Sequence, residues 1–236
     1  VDLPEDPTSF IEAIDREAFF ESLAFSSEDS NRNQLYKQNA IRSKHQKQFD
    51  NIDEFLCSLE MVSEVGPVND LYLPRFTQLI NKSNQFHLTT TRYTETQIKS
   101  MIDDDITTLR YFRLKDSFGD NGLISALIIK HQSEILFIDT WVMSCRVLSR
   151  GMEEFIFSEM ISMAKWLKST IIRGKYIPSK KNKLVSSLYE RLGFKLTKKE
   201  PDGTSHWDLN MKEPLPKISH AIKRTESKDL DQDNSR

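Results

Sequence analysis

The 236-residue chain is 38% hydrophobic and 29% charged, carries a net charge of −2 and contains only seven glycines. Collagenous, coiled-coil and wholly disordered proteins are excluded by this profile, and the length suits one substantial domain with appendages. No apolar run approaches the roughly 18 residues that span a bilayer, and the opening VDLPEDPTSF lacks the order of a secretory signal, so we expect a cytoplasmic protein without membrane contact.

Residues 1–65 are predicted to form helices and connectors that cannot make a domain alone. The clearest helix covers 51–61, where Ile52, Phe55 and Leu59 share one apolar stripe. Beyond Gly66 and Pro67 the chain alternates between helical and β-rich runs. This alternation predicts a mixed α/β fold, with a mainly antiparallel sheet flanked by helices over 66–212.

Within that domain, strands are predicted at 108–114, 123–130, 135–144, 170–176, 194–197 and 206–211. Helices are predicted at 70–81, 94–103, 152–167 and 180–192. The segment 119–122 is expected to form the turn between the first two strands, and 83–93 to be a polar loop. Residues 213–236 have few core-forming side chains and are expected to be disordered.

Cysteine content and charge distribution limit the classes of partner. Cys57 and Cys145 are far apart and have no metal-ligand spacing, so we expect a reducing compartment and no metal site. The segment 173–199 contains nine basic residues against Glu190 alone. A basic face of this kind favours an anionic partner. Because aromatic residues are not interleaved with the charges, we expect a phosphate-bearing small molecule or an acidic carrier protein rather than nucleic acid.

The segment IDTWVMSCRVLSRGMEEF leads from a buried strand through a turn into a helix. Backbone N–H groups at such a helix start converge on one spot, which is suited to phosphate. The segment resembles the signature of the Gcn5-related N-acetyltransferases (GNAT), whose loop cradles the pyrophosphate of coenzyme A. Arg146 and Gly151 match the signature, whereas Ser149 stands where glycine is preferred.

A second block resembles the same family. Asn182 is followed seven residues later by Tyr189 and then by Gly193 and Phe194, and this spacing places Asn182 and Tyr189 on one helical face. The resemblance implies that Asn182 contacts a pantetheine arm and that Tyr189 protonates the leaving thiolate. The alternative is that Tyr189 fills the core.

Four blocks in order, KSNQFHLTTTRY, DSFGDNGLI, WVMSCRVLSRGME and GKYIPSKKN, resemble the FkbH-like proteins, in which a HAD-type phosphatase half precedes a GNAT-like half. The departures are His87 for Asn, Ser149 for Gly and Ser179 for Thr. The resemblance covers about residues 1–195. It implies transfer of a three-carbon glyceryl unit from a phosphoglycerate donor to the phosphopantetheine thiol of an acyl carrier protein in secondary-metabolite or polyketide-type biosynthesis.

The phosphatase half of that family uses an aspartate-centred DxD motif with magnesium, whereas Asp103-Asp104-Asp105 of this sequence is predicted to lie in a helix and to be a solvated carboxylate cluster. We therefore expect an acyltransferase without phosphatase activity, either a stand-alone transferase half or a truncated remnant, with a HAD-type phosphatase acting in trans. No tightly bound cofactor is expected; the substrate is a phosphopantetheine thioester, carried by the carrier protein or as acyl-CoA. Two alternatives are a CoA-dependent N-acetyltransferase and a non-catalytic carrier-binding module.

The predicted catalytic residues are Cys145, Tyr189, Asp139 and His87. Period-two alternation places Asp139, Trp141, Met143 and Cys145 on one strand face, where Cys145 is either an acyl-accepting nucleophile or a small buried hydrophobe. Asp139 either serves base chemistry or satisfies backbone donors at a bulge, and His87 is either a base or a solvent-facing loop residue.

The predicted substrate- and phosphopantetheine-binding residues lie in three segments of the chain. Arg150, Lys180 and Lys181 are candidates to pair with phosphates or to be ordinary surface charges. The complete binding set predicted from the sequence is Arg146, Ser149, Arg150, Gly151, Asn182, Asn84 and Gln85.

Overall fold

The computed structural model describes residues 32–226, with side chains from residue 35 onward. The chain divides into two compact units, Val1–His45 and Gln46–Arg236. Helix α1 (Arg32–Gln46) belongs almost wholly to the first unit. Predictions that fall on residues 1–31 and 227–236 lie outside the described part of the chain.

The described part of the second unit contains a sheet and five further α-helices, with two short 3₁₀ turns at Cys145–Val147 and Lys183–Val185. Its elements in chain order are α2 (Ile52–Ser58), β1 (Val62–Pro67), α3 (Leu73–Lys82), β2 (Phe86–His87), α4 (Glu95–Ile102), β3 (Thr107–Asp116), β4 (Gly119–Gln132), β5 (Ile135–Met143), α5 (Met152–Trp166), β6 (Ile171–Tyr176), α6 (Leu188–Arg191), β7 (Lys195–Lys199), β8 (Ser205–Asn210) and β9 (Lys223–Glu226).

The described strands form one sheet in the order β7-β8-β6-β5-β4-β3-β1-β9, with β2 attached to β5. Only the β5–β6 and β1–β9 pairs are parallel, and the other pairs are antiparallel. Helices α5 and α6 pack on one face around Phe155, Ile156 and Leu188, and α3 and α4 pack on the other around Phe76 and Ile98. The predicted fold class, a mainly antiparallel α/β sheet with flanking helices, is confirmed.

Three predicted boundaries are wrong, each for a local reason. The limit at 65/66 cuts through β1, which pairs with β3 from Val62 to Pro67. The first hairpin turns at 117–118, because an Asp116 carboxylate oxygen accepts the backbone N–H groups of Phe118 and Gly119. The helix predicted at 180–192 is broken into a 3₁₀ turn and α6, with the Ser186 hydroxyl donating to the Lys183 carbonyl oxygen.

The prediction of a disordered tail is wrong for residues 213–226. Leu215, Ile218 and Ile222 pack against the core beside α5. The chain then adds β9 in parallel to β1, and Arg224 on β9 pairs with Glu159 on α5 at 3.1 Å. Sparse apolar residues are therefore enough to hold this segment, because each one covers apolar surface that the rest of the domain leaves exposed.

No helix within residues 32–226 is long and apolar enough to cross a membrane.

Candidate active site

Strands β5 and β6 separate in the middle of the sheet. They pair in parallel at only three positions, Ile135–Phe137 with Ile171–Arg173, and then diverge. From residue 138 to 143 the edge of β5 that faces β6 is therefore open to other partners. In an α/β sheet, a gap between neighbouring strands is where a ligand can reach backbone groups.

The chain fills this opening with residues 86–89, which we call the sealing segment. Phe86 and His87 pair antiparallel with Met143 and Val142, and the Leu88 N–H donates to the Trp141 carbonyl oxygen at 3.4 Å. On its other side, the Leu88 carbonyl oxygen accepts the Ile177 N–H at 2.9 Å. The sheet is thus continuous across the gap.

Asn182 holds the sealing segment from the far side. Its Nδ2 donates to the carbonyl oxygens of His87 and Ile177, both at 2.9 Å. Its Oδ1 accepts the Ser179 N–H at 2.7 Å and the Tyr176 hydroxyl at 3.2 Å. The side chain is fully buried and all its hydrogen-bonding groups have protein partners, so in this conformation it does not face a ligand.

Asp139 marks the point where β5 and β6 part. It is the extra residue of a β-bulge, because Ile128 pairs with Thr140 and Ile129 with Ile138. The bulge shifts the alternation, so Trp141 packs in the α5 core whereas Asp139 bonds to Lys130 on the other face. The prediction that Asp139, Trp141, Met143 and Cys145 share a face is wrong for this reason. Asp139 does lie at a bulge, but its carboxylate accepts from side chains and not from the backbone donors of the predicted alternative.

The Asp139 carboxylate lies in a polar cluster that the sequence did not indicate. One oxygen accepts from the Lys130 ammonium at 2.7 Å, and the other accepts from the Tyr93 hydroxyl at 2.6 Å and the Thr140 hydroxyl at 3.0 Å. Burial acts to raise the pKa of Asp139, but these donors outweigh it and hold the pKa below its usual value. Burial and the neighbouring carboxylate raise the pKa of Tyr93, so the phenol keeps its proton.

His87 is buried within the sealing segment rather than exposed in a loop. Its Nδ1 accepts the Thr90 N–H at 3.1 Å, and its Nε2 lies 2.9 Å from the Thr91 carbonyl oxygen, which can only accept. The ring is therefore neutral, with its proton on Nε2. Burial, together with the Arg92 charge, lowers the pKa of His87 to about 4. Both predicted alternatives, a base and a solvent-facing residue, conflict with this environment.

The low pKa of His87 makes stability depend on pH. In the unfolded chain the imidazole has its ordinary pKa of 6.5, whereas in the folded protein the pKa of His87 is about 4. The contribution of neutral His87 to the free energy of unfolding is thus complete above pH 6.5 and is lost as the pH falls toward 4. The loss is up to about 1.4 kcal/mol per pH unit and about 3 kcal/mol in total. Urea unfolding between pH 7.5 and 4.5 should show this loss in the wild type but not in His87→Asn. Parallel curves for the two proteins would contradict it.

The turn between β5 and α5 is held by hydrogen bonds among its own residues. Ser144 accepts the backbone and side-chain N–H groups of Arg146, and Arg150 donates to the Arg146 carbonyl oxygen at 2.7 Å. Arg150 is also paired with the buried Asp116 at 3.2 Å. Its side chain is only 12% exposed. Arg150 therefore anchors this turn to the β3–β4 hairpin, and the prediction that it binds a phosphate loses its support.

Two residues of this turn have left-handed backbone conformations. Gly151 has φ of 76° at the start of α5, and Ser149 has φ of 61° at the position where the GNAT signature prefers glycine. Serine is strained in this region.

Cys145 begins a 3₁₀ turn and is exposed, so the alternative that it is a buried hydrophobe is wrong. Its role as a nucleophile stays a prediction.

The predicted phosphate cradle at the start of α5 is occupied by the chain itself. Glu153 in the first turn is buried, and burial raises its pKa, an effect opposed by hydrogen bonds from its own backbone and that of Ser149. Negative charge at a helix N-terminus is favourable, and here it comes from this side chain. The tail passes close by, since a Cβ on Gly151 would meet His220 at 3.7 Å. The structure thus gives no support to a phosphate at this position.

Tyr189 lies in the core beneath β6. Its ring is buried and packs on Phe194 at 5.0 Å and Trp207 at 6.3 Å. Its hydroxyl has no hydrogen-bond partner of good geometry among the described residues, although the nearby Lys175 backbone opposes the rise in pKa that burial causes. This environment favours the core alternative for Tyr189.

Removing the Tyr189 hydroxyl tests its role directly. Because an unpartnered buried hydroxyl costs about 1 kcal/mol or more, Tyr189→Phe should raise the free energy of unfolding by about 1 kcal/mol. It should also leave the rate of the acyl transfer that the sequence predicts unchanged within about twofold. Loss of a general acid would instead lower that rate by about 100-fold or more. Urea unfolding and a transfer assay on the same preparation distinguish these results.

Asn84 and Gln85 are exposed just before the sealing segment, and the Asn84 side chain accepts from Arg92 at 2.8 Å. Their role in substrate binding stays a prediction.

Sequence reasoning missed Tyr93 and Lys130, which both contact Asp139. Lys130 lies on a predicted strand and Tyr93 ends a quoted block, but only the bulge brings them together. Within residues 35–226, no group of three or more His, Cys, Asp or Glu side chains is arranged to hold a metal ion.

Comparison with solved structures supports the fold. A domain from Methanocaldococcus jannaschii matches with a TM-score of 0.51 and 13% identity, covering 64% of this chain and 99% of that one. The ribosomal-protein-S18-alanine N-acetyltransferase from Escherichia coli matches with a TM-score of 0.49 and 11% identity, covering 67% and 99%. Spermidine N-acetyltransferase from Vibrio cholerae, solved with CoA and spermine, matches with a TM-score of 0.48 and 10% identity, covering 64% and 96%.

No protein-family model matches the chain, and no curated protein sequence matches it. The strand order described above and the similarity to the M. jannaschii domain confirm the fold class predicted from the sequence, a mixed and mainly antiparallel α/β sheet flanked by helices. At identities this low, structural similarity carries no information about activity.

Proposed function

We propose that this protein is an acyltransferase that acts on the phosphopantetheine thiol of an acyl carrier protein. The observation that carries the proposal is the separation of β5 and β6, which creates an edge where an extended arm can pair with the backbone of residues 138–143. Asp139, with Tyr93 and Lys130, lies where the strands part. Three of the four FkbH-like blocks contribute residues to this opening, and the fourth, on the β3–β4 hairpin, is joined to the turn after β5 by the Asp116–Arg150 pair. The resemblance supports a glyceryl unit as the acyl group.

The transfer needs one bond to form and one to break. The carrier thiol sulfur attacks the activated carboxyl carbon of a phosphoglycerate donor, and the bond from that carbon to its phosphate oxygen breaks. The thiol proton passes to a base, for which the ionised Asp139 is the candidate, while Tyr93 and Lys130 orient that carboxylate. A HAD-type phosphatase acting in trans removes the remaining phosphate of the three-carbon unit.

Intact-mass spectrometry tests the transfer. The chain is incubated with holo acyl carrier protein and a system that generates 1,3-bisphosphoglycerate, with and without a separate HAD-type phosphatase. We expect a phosphoglyceryl or glyceryl increment on the carrier. An increment on the chain that disappears in Cys145→Ser would assign Cys145 as a covalent acyl carrier. Carrier binding without any increment would contradict catalysis and favour a non-catalytic carrier-binding module.

The predicted basic face is smaller than its sequence suggests. Four of its charges have acidic partners: Arg173 with Asp208, Arg191 with Glu154, Lys195 with Glu213 and Lys198 with Glu200. By contrast, Lys175, Lys180, Lys181 and Lys183 are exposed and form no ion pair with any residue in 35–226. Lys180, Lys181 and Lys183, which we call the basic loop, flank Asn182 in the chain, whereas Lys175 lies on β6. The basic loop suits the phosphate of the arm and an acidic carrier surface.

Reversing charges in the basic loop should weaken carrier binding. The triple variant Lys180→Glu, Lys181→Glu and Lys183→Glu is expected to lower affinity about tenfold or more in low salt, with a smaller difference at high salt. The matched control reverses Lys165, Lys168 and Lys212, which are also exposed lysines. Titration calorimetry at two salt concentrations gives the measurement. Equal losses in both triples would show a general charge effect and contradict docking at the basic loop.

A CoA-dependent N-acetyltransferase is the second candidate, and one cavity favours it. A space of about 480 Å³ beside β1 and β3 is lined by Glu60, Glu64 and Asp120 and by Arg113 and Lys115. Asp116 also borders it, but its carboxylate is buried against Arg150. A carboxylate-rich lining suits an amine acceptor. Release of free CoA from acetyl-CoA that requires an added amine, with no increment on the carrier, would favour this candidate.

A further inference from the structure

The sealing segment occupies the backbone edge that a thioester arm needs. The arm and residues 86–89 compete for the same N–H and carbonyl groups of β5, because β2 pairs with Met143 and Val142 and Leu88 reaches Trp141. The Thr89 hydroxyl also donates to the Asp139 carbonyl oxygen at 2.9 Å. In the conformation described here, no arm can pair with this edge.

Two observations indicate how the sealed state is balanced. The segment is held by burial of Phe86 and Leu88 and by the Asn182 side chain, which bonds to the His87 carbonyl oxygen. Against this, Thr90 follows directly with φ of 55°, a left-handed conformation in which a β-branched residue is strained. Release of the segment relieves this strain and frees backbone entropy, which offsets part of the lost burial.

We propose that residues 86–89 are a displaceable strand, latched by Asn182, that closes the opening between β5 and β6 until the arm of a phosphopantetheine thioester replaces it. This inference rests on the proposed acyl transfer and assigns Asn182 a positioning role: it stabilises the closed state instead of contacting the arm. The measured affinity for the arm is then its intrinsic affinity reduced by the fraction of molecules that are open.

Two substitutions shift this balance in opposite directions. Asn182→Ala removes the latch and is expected to raise the affinity for coenzyme A, used as the probe for the arm, at least tenfold. Thr90→Asn relieves strain in the closed state, because asparagine adopts the left-handed region more readily, and is expected to lower the affinity about threefold. Ser133→Asn, at a strained residue with φ of 54° in the β4–β5 turn, is the matched control and should leave the affinity unchanged.

Titration calorimetry with coenzyme A gives the affinities, and hydrogen exchange with mass spectrometry over residues 84–93 shows the segment itself. We expect coenzyme A to speed amide exchange at residues 86–89 in the wild type. If Asn182→Ala fails to fold, Thr90→Asn and its Ser133→Asn control still test the proposal. Binding of coenzyme A with the segment still protected and with equal affinities would overturn the displacement and leave acyl transfer standing. No binding by the wild type or any variant would overturn both.

Discussion

Gly174→Ala should destabilise the protein by about 3 kcal/mol, because the added methyl has no space. A Cβ on Gly174 would lie 2.3 Å from ring carbons of Tyr189 and 2.5 Å from its hydroxyl. The ring is fixed between Phe194 and Trp207 in a core that leaves it no room to move aside. Urea unfolding of the single variant measures the loss.

Shrinking the neighbour provides the control for this prediction. In the Gly174→Ala, Tyr189→Leu double variant, the smaller side chain should recover part of the loss, so that the two changes are not additive. The result bears on chemistry as well as stability, because it places Tyr189 behind β6 and away from the opening. An unchanged midpoint for Gly174→Ala would mean that Tyr189 is not packed there and would reopen its predicted catalytic role.

Arg150→Met should also cost about 3 kcal/mol or more, because it removes the guanidinium charge that pairs with the buried Asp116 carboxylate. The Asp116 side chain is fully buried, and Arg150 is 12% exposed. Asp116 keeps the N–H groups of Phe118 and Gly119 and the Asn121 amide, but these are neutral donors. Thermal and urea unfolding give the measurement.

A more exposed ion pair supplies the comparison. Arg173 bonds Asp208 through two hydrogen bonds of 2.7 and 2.6 Å on the sheet surface. Since the Arg173 side chain is 36% exposed, Arg173→Met should cost only about 1 kcal/mol or less. Equal losses for Arg150→Met and Arg173→Met would contradict the claim that Arg150 is a structural anchor. A further loss of carrier binding in Arg150→Met alone would restore its predicted role toward phosphate.

The fold was predictable because it depends on short-range patterns. Alternating apolar residues indicated β3 to β5, and the Phe155 and Met160 stripe indicated α5. β1 and β2 were missed, although Phe86 and Leu88 alternate with polar neighbours as strand residues do. This alternation is short and lies in a segment rich in threonine and other polar residues. Such a segment is typical of a loop, and only the position of the β5 edge shows that it forms a strand.

The candidate site was predictable in position but not in the roles of its residues. Three of the four quoted blocks contribute residues to the opening between β5 and β6, whereas DSFGDNGLI forms the β3–β4 hairpin. However, the environments of Asp139 and Asn182 depend on partners that are distant in sequence. A bulge turns Asp139 toward Lys130 and Tyr93, and the Asn182 side-chain amide is hydrogen-bonded to the sealing segment. A sequence motif identifies residues that occur together in a family. Burial and strand pairing determine which hydrogen-bond partners each of those residues has in the folded protein.

The central claim is that transfer takes place on the β5 edge that residues 86–89 now cover, and a reversible cross-link tests it most directly. His87 lies opposite Val142 in neighbouring antiparallel strands, a separation that suits a disulfide. In a Cys57→Ser, Cys145→Ser background, His87→Cys with Val142→Cys should form a disulfide on oxidation, lose coenzyme A binding, and regain it on reduction. Failure to form the disulfide, or equal binding by the oxidised and reduced forms, would contradict the account.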